Sequence, residues 1–369
     1  MKPTDPSRLG IYMLDVGQGD CTIVVTPTGD GDEPSAILFD CADAYVAERF
    51  VANHEIGRLE AVVASHLDID HIRGLLPFLR NYFARGGKVQ SLLLALDRVP
   101  ASNADVNIHA LVEQAIAWGE APPHEGFTLE DPRTQDGAPK VLASGADWQV
   151  EIVLPTYDMR ITPLLTGVRD PNRVSAVLRV VRAGTAVLIG GDAPLSAWQR
   201  LDPALVPAAV LRTPHHGGIV VETDDGDGWE ALSKFYSSVG ARASVISVGT
   251  NNGHQHPVEG HLSALRPERC RIVCTQMTSR CHPHPHQVRE HALARAAGVE
   301  WPYRHWAKRG HPGEPGQTVN RPKTEVPCAG SVVAWIDDSG QLDIEPGSGE
   351  HGVVVDRALS PKCRPIATS

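Results

Sequence analysis

The sequence predicts a layered α/β fold with a polar site at one edge of its sheets. Short apolar runs that read as strands alternate with stretches of helical spacing. Clusters of His, Asp and Gly follow several of those runs directly. Apolar residues make up 42% of the 369, enough to fill a core, and the charged fraction is ordinary for a globular chain.

Residues 11–26, IYMLDVGQGDCTIVVT, read as two apolar strands joined by a turn that Gly17 and Gly19 punctuate. AILFD (36–40) and AVVA (61–64) are short buried strands, the second ending at SHLDIDH. The following IRGLLPFLRNYF carries apolar residues at helical spacing despite Pro77. SLLLAL (91–96) is a further strand. Residues 97–147 are less regular. LVEQAIAWGE has helical character, APPHEGFTLEDPRTQDGAPK reads as loop, and the stretch is expected to be an insertion or a lid. QVEIVLP (149–155) returns to a strand, and VSAVLRVVRAGTAVLIGGD (174–192) reads as a hairpin turning at AGT. AAVLRTPHHGG and ASVISVGTNNGHQHP each run from a strand into a loop rich in metal-capable side chains. RCRIVCT is the last strong core strand before a Pro/His-rich region, and SVVAWIDD (331–338) is a late strand. The last stretch, roughly 20 residues, has the composition of a loosely ordered tail.

The length fits one α/β domain over 8–300, with the insertion at about 97–147, and a C-terminal extension over 301–369 partly packed on it. The net charge of -10 disfavours long-range attraction to nucleic acid, so any such contact needs a local basic groove or bound cations. No run of 18 apolar residues is present, so no membrane span is expected. The start, MKPTDPSRLG, lacks the apolar core of a signal peptide, and a cytoplasmic location is the expectation. Seven unevenly placed cysteines then read as thiols or metal ligands rather than a disulfide framework.

The chemistry concentrates in His66-Leu67-Asp68-Ile69-Asp70-His71, where four metal-capable side chains fall within six residues between a strand and a helix. Such a turn can splay them toward one point, and His with Asp suits Zn, Mn or Fe. Two sub-sites can be drawn, His66 with Asp68 and Asp70 with His71. The plainer alternative makes Asp70 a helix cap and the histidines surface residues. Gly190-Gly191-Asp192 ends a strand with a carboxylate that either bridges two metals or caps a turn. Pro214-His215-His216-Gly217-Gly218 and His254-Gln255-His256 end two more, and the glycines let the backbone approach a ligand closely.

As a set these motifs resemble the metallo-β-lactamase superfamily and, within it, the ComEC-like branch. The likeness rests on LDVGQGD (14–20), a strand ending at Asp40, SHLDIDH with its following Gly-Leu (65–75) and Asn172 to Ser175. It continues through Gly-Asp at 191–192, PHHG (214–217) and GHQHP (253–257), and spans about residues 10–275. The resemblance implies an αββα sandwich holding two divalent ions, Zn or Mn. His66, Asp68, Asp70, His71 and Asp192 are the implied ligands, Asp192 bridging. One of His215 and His216 completes the set, and His215, closer to the strand end, is favoured. The commonest superfamily motif, HxHxDH, has His where this chain has Asp68, which hardens that sub-site toward Mn. Asp70 would also orient the attacking hydroxide. His254 would protonate the leaving group or contact substrate, with His256 as second candidate. Asp15, Asp20 and Asp40 would stand behind the ligands, or simply cap turns. Asn172 and His216 are further candidates for substrate contact or ligand support.

The implied activity is metal-dependent hydrolysis of a phosphodiester in a nucleic acid or nucleotide, that substrate being the partner expected and a protein partner staying open. ComEC proteins also carry a membrane channel, which this chain lacks, so DNA import is not implied. Two alternatives stay open: hydrolysis of another ester, amide or thioester, and a metal-site nucleotide-binding or sensor module. Late in the chain, Cys270, Cys274, Cys281, His282, His284, His286 and Cys328 concentrate. Thiolates with imidazole suit a structural zinc held by Cys274, Cys281 and Cys328 with His282. The spacing is that of no standard zinc finger, and buried free thiols beside a solvated His-Pro loop form the competing reading.

Overall fold

The structure is a computed structural model and describes residues 7–28, 33–96, 106–134, 137–159, 170–265, 270–285, 288, 325–347 and 351–363. The first sheet takes β1 (Leu9–Met13), β2 (Cys21–Val25), β3 (Ser35–Cys41), β4 (Arg58–Val63), β5 (Lys88–Leu93) and β6 (Thr128–Glu130). The second takes β7 (Lys140–Ser144), β8 (Trp148–Leu154), β9 (Val177–Arg182), β10 (Thr185–Ile189), β11 (Val210–Arg212), β12 (Ala243–Ile246) and β13 (Arg271–Cys274). The late strands β14 (Val332–Ile336) and β15 (Leu342–Pro346) return to the first sheet, whose order is β15-β14-β1-β2-β3-β4-β5-β6. The second sheet runs β13-β12-β11-β10-β9-β8-β7. Each sheet is half antiparallel and half parallel: β3 to β6 pair in parallel in one, β10 to β13 in the other.

Burial explains why the strand runs are apolar throughout rather than alternating. In β1, Leu9, Ile11 and Met13 face a middle core shared with Val150, Leu178, Val187 and Val245 of the second sheet. Tyr12, between them, joins an outer core with Phe50, Phe78 and Leu111. Those three come from α1 (Ala44–Asn53), α3 (Leu75–Ala84) and α4 (Val106–Glu120), with α2 (Ile69–Ile72) preceding α3. The far face of the second sheet is covered by α5 (Leu195–Trp198), α6 (Gly226–Val239), α7 (Glu259–Ala264) and α8 (His351–Arg357), through Trp198, Tyr236, Leu262 and Val354. The result is the expected αββα sandwich.

One expectation is corrected. The helix expected across IRGLLPFLRNYF is two, α2 and α3, because the chain turns at Arg73-Gly74 to pass close to α1. Gly74 N donates to Cys41 O at 2.8 Å, and a side chain at Gly74 would run into the Ala44 backbone. Pro77 then falls in the first turn of α3, where its missing N–H costs little. The described residues of 97–147 pack against both sheets. There α4 packs in the outer core, β6 extends the first sheet from β5, and β7 edges the second. Toward the C-terminus, β14 pairs with β1 along its whole length, and α8 buries Val354 and Val355. Among the described residues, no helix is long and apolar enough to cross a membrane.

His261 fastens α7 to α6 and to the loop after β11. Tyr236 Oη donates to its Nε2 at 2.5 Å, and its Nδ1–H donates to Gly218 O at 2.7 Å. This pairing needs a neutral ring, and burial pushes the His261 pKa down to about 4. An unfolded His titrates near 6.5, so stability from this group is complete above that value and is lost as pH falls toward 4. Urea unfolding at pH 7 and pH 5 is expected to show a loss of about 2 kcal/mol from this group, absent in His261→Gln.

Candidate metal centre

The carboxyl ends of strands from both sheets meet at one edge, the usual place for a ligand site in parallel α/β sheets. Asp40 lies near the end of β3, the 66–71 hexad follows β4, Asp192 follows β10, His215 and His216 follow β11, and Ser247 follows β12. The loop between β1 and β2 closes the edge from the side. Gly19 makes this possible at φ +133, because a side chain there would strike Ala42 and the Asp70 carbonyl. Asp20 N accordingly donates to Asp70 O at 2.9 Å.

Three imidazoles are tied through Nδ1, leaving Nε2 to face inward. His71 Nδ1 donates to Asp40 Oδ2 at 2.8 Å. Asp40, itself left-handed at φ 59, also accepts from Ser65 N at 2.7 Å and Ser65 Oγ at 2.8 Å. His216 Nδ1 donates to Ser247 O at 2.9 Å and stands 3.1 Å from Asp20 Oδ1. His66 Nδ1 stands 3.0 Å from Ser65 Oγ and 3.4 Å from Ser175 Oγ. The Nε2 atoms of all three rings, with Asp192 Oδ1, are buried and make no hydrogen bond. Buried polar atoms are rarely left so, and here they converge.

Asp192 divides the cluster. Its Oδ1 faces His71 Nε2 at 3.1 Å and His216 Nε2 at 4.0 Å, and His216 Nε2 faces Asp70 Oδ2 at 3.2 Å. Its Oδ2 faces His66 Nε2 at 3.8 Å and His215 Nε2 at 3.7 Å, and His66 Nε2 faces Asp68 Oδ2 at 3.4 Å. Two donors on one tetrahedral ion, each about 2.1 Å from it, stand roughly 3.4 Å apart. The residues therefore fit two cations sharing Asp192. Charge agrees: Asp20, Asp40 and Asp192 are buried here, with Arg212 the buried guanidinium among them, paired to Asp20. Burial alone would raise the Asp20 carboxyl, but Arg212 and then His216 hold it well below the usual range. Burial works against charge on His216, yet Asp20 and Asp70 lift it to about 10. Without a cation, His216 carries compensating charge.

His215 and His216 both face Asp192, through different carboxylate oxygens. Both residues are left-handed, His215 at φ 53, ψ 39 and His216 at φ 53, ψ 23. With this backbone, the His215 ring faces Asp192 Oδ2 and the His216 ring faces Asp192 Oδ1. His216 is buried among Asp70, His71 and Asp192, whereas His215 is more open and its Nδ1 donates to Ile219 O at 3.1 Å. Such conformations cost roughly 1–2 kcal/mol per residue, which the tethers must offset.

The remaining candidates spread outward. Asp68 and Asp70 form the open side, their side chains 46% and 27% exposed. His256 packs on His215 and His216 with ring centroids 5.3 and 6.2 Å away, and His254 is exposed at the rim, 5.4 Å from His256. Burial, and then the neighbouring His216, lowers the His256 pKa to about 3. Asp15 accepts from Gly17 N at 3.2 Å and Gln276 Nε2 at 2.8 Å, bracing the loop. Asn172 lies on a short turn capped by Asp170, and Ser175 of that turn reaches His66 and accepts from Asp192 N at 3.0 Å. Ser65, Ser175, Arg212 and Ser247 were not singled out from the sequence as supports. Ser65, flanking the hexad, was the readable one, whereas a carbonyl such as Ser247 O has no sequence signal.

Of the cysteine set, Cys274, Cys281 and Cys328 are buried. His282 is half-buried and accepts from His284 N at 3.1 Å through Nδ1, outside any described cluster of potential ligands. His286 lies outside the described residues.

No family model matches the chain, and no curated protein matches it. Among solved structures it is similar to the metallo-beta-lactamase fold protein YhfI from Bacillus subtilis, at 12% identity and TM-score 0.41, over 72% of this chain and 96% of that one. It is similar to human tRNase Z, short form, at 14% identity and TM-score 0.39, over 65% and 92%. It is also similar to Zn(2+)-bound PqqB from Methylobacterium extorquens, at 10% identity and TM-score 0.40, over 72% and 97%.

His71→Ala is expected to abolish binding of at least one ion, read as metal per chain. Asp40→Asn, which loosens the tether behind His71, is expected to weaken metal affinity about 10–100-fold in a competition titration. Unchanged metal content in both variants would remove the assignment.

Proposed function

We propose that this chain is a metal-dependent hydrolase acting on phosphodiesters, in a nucleic acid or nucleotide, through two divalent ions, Zn or Mn. The observation that carries the reading is the division of donors on the two oxygens of Asp192. His71, His216 and Asp70 form one side, and His66, Asp68 and His215 the other. Divalent ions held there supply Lewis acidity toward a phosphoryl oxygen and bring the pKa of a bound water toward neutrality. The oxygen-rich set, with Asp68, Asp70 and Asp192, suits hard cations and an anionic oxygen substrate. In a chain of net charge -10, such local positive charge is what an anionic diester needs to approach.

The chain's own residues have separate tasks. Asp40, Ser65, Asp20 and Ser247 hold the imidazoles in one orientation, so little rearrangement accompanies reaction. Asp70, partly exposed, orients the attacking water at the open side. His254, at the rim, gives a proton to the leaving oxygen. His256 places it there, its backbone N–H donating to Asn252 Oδ1 at 2.6 Å and its backbone carbonyl accepting from Asn252 Nδ2 at 3.0 Å.

Turnover of bis-nitrophenyl phosphate, a nitrophenyl ester and a β-lactam tests the substrate class: the diester is expected to be cleaved fastest, and activity confined to the other two would end the reading. Asp70→Asn is expected to lower diester turnover by at least ~10²-fold. His254→Ala should lower it by about 10²-fold for an alkyl diester, whose leaving group needs a proton, and hardly at all for a nitrophenyl diester.

A further inference from the structure

A second cluster of metal-capable side chains lies away from the Asp192 site, and it differs from the set expected from the sequence. One donor atom from each of Cys328, His351 and Cys363 lies within 4.8 Å of the others. The Cys363 thiol also meets that of Cys274, and its Sγ accepts from Cys274 N at 3.1 Å. All four residues are buried, none more than 3% exposed. The His351 ring approaches the Cys363 sulfur, and apart from that thiol neither Nδ1 nor Nε2 has a hydrogen-bond partner. A neutral imidazole carries an N–H and a lone pair, and a weak thiol contact alone leaves one of them buried and unused, which is unfavourable unless something binds there.

We propose that Cys274, Cys328, Cys363 and His351 hold a structural zinc ion. Three thiolates and one imidazole form a closed four-coordinate set of soft and borderline donors, the chemistry that selects zinc for structural roles. Binding displaces the protons of the three thiols, and the imidazole ligates through one nitrogen while the other keeps its proton. Cys281 is buried nearby but accepts backbone N–H groups of Thr278 and Lys362, and His282 is turned to His284, so neither is needed.

The placement gives the ion a task. His351 begins α8, Cys363 ends the described C-terminal segment, Cys328 precedes β14, and Cys274 ends β13. The seven-residue α8 is too short to be stable alone, so a cross-link to two strands would hold it in place. Cys274 is followed by Thr275 and Gln276, whose side chains hold Val248 N at 2.9 Å, Thr250 N at 2.9 Å and Asp15 Oδ1 at 2.8 Å. The same ion therefore anchors the base of the loop that carries His254.

This inference is independent of the hydrolase reading, and cobalt(II) separates the two. The Asp192 cluster contains no sulfur, so only the cysteine site can produce thiolate-to-cobalt charge-transfer absorption in the near ultraviolet. Full-length protein purified under reducing conditions and loaded with cobalt is expected to show that band. His71→Ala should keep it, while Cys363→Ser and His351→Ala should lose it, together with one tightly held zinc per chain. If Cys363→Ser does not fold, wild type and His351→Ala decide. A wild-type chain without the band overturns the proposal, as does a disulfide joining Cys363 to Cys274 or Cys328. A band undiminished in His351→Ala and Cys363→Ser overturns it too.

Discussion

The hydrogen bond from His71 Nδ1 to Asp40, 2.8 Å long and buried, is the constraint from which the site builds. It fixes which nitrogen carries the proton and aims the other at Asp192. Asp40 can serve only because its backbone is left-handed and its second role, accepting from Ser65, pins the start of the hexad. Similar tethers act on His216 and His66, so the inward-facing atoms are arranged by bonds made behind them. The chain itself therefore holds the potential ligand atoms in one arrangement.

The sandwich supplies what no single loop can. The hexad belongs to one sheet, while Asp192, His215 and His216 belong to the other. They meet because the middle core packs the two sheets face to face with the relevant strand ends at one edge. The late strand β14 contributes indirectly: paired with β1, it steadies the strand leading into the loop of Asp15 and Asp20. Ser331 Oγ, just before β14, accepts from Asp15 N at 2.9 Å.

Much of this was legible in the sequence. Strand runs buried on both faces are apolar throughout, and most of them appeared within a few residues of their observed bounds. Elements hard to see were those whose reason is tertiary. The three-residue β6 is held by pairing with β5 rather than by its own apolar pattern. The break between α2 and α3 answers to the nearby α1 backbone, which the local periodicity cannot report. His351 and Cys363 escaped notice because they stand far along the chain from Cys274 and belong to no local motif.

By itself the sequence determined the layered fold and the residues of the hexad, Asp192 and the PHHG turn, because strand hydrophobicity and clustered donors are local properties of the chain. Tertiary structure alone decided that His216 as well as His215 faces Asp192, that Ser65, Ser175 and Ser247 stand behind the rings, and that His351 rather than His282 joins the cysteines. The physical reason is directional. A ligand's use depends on where its lone pair points, and that direction is set by backbone conformation and by partners from distant strands.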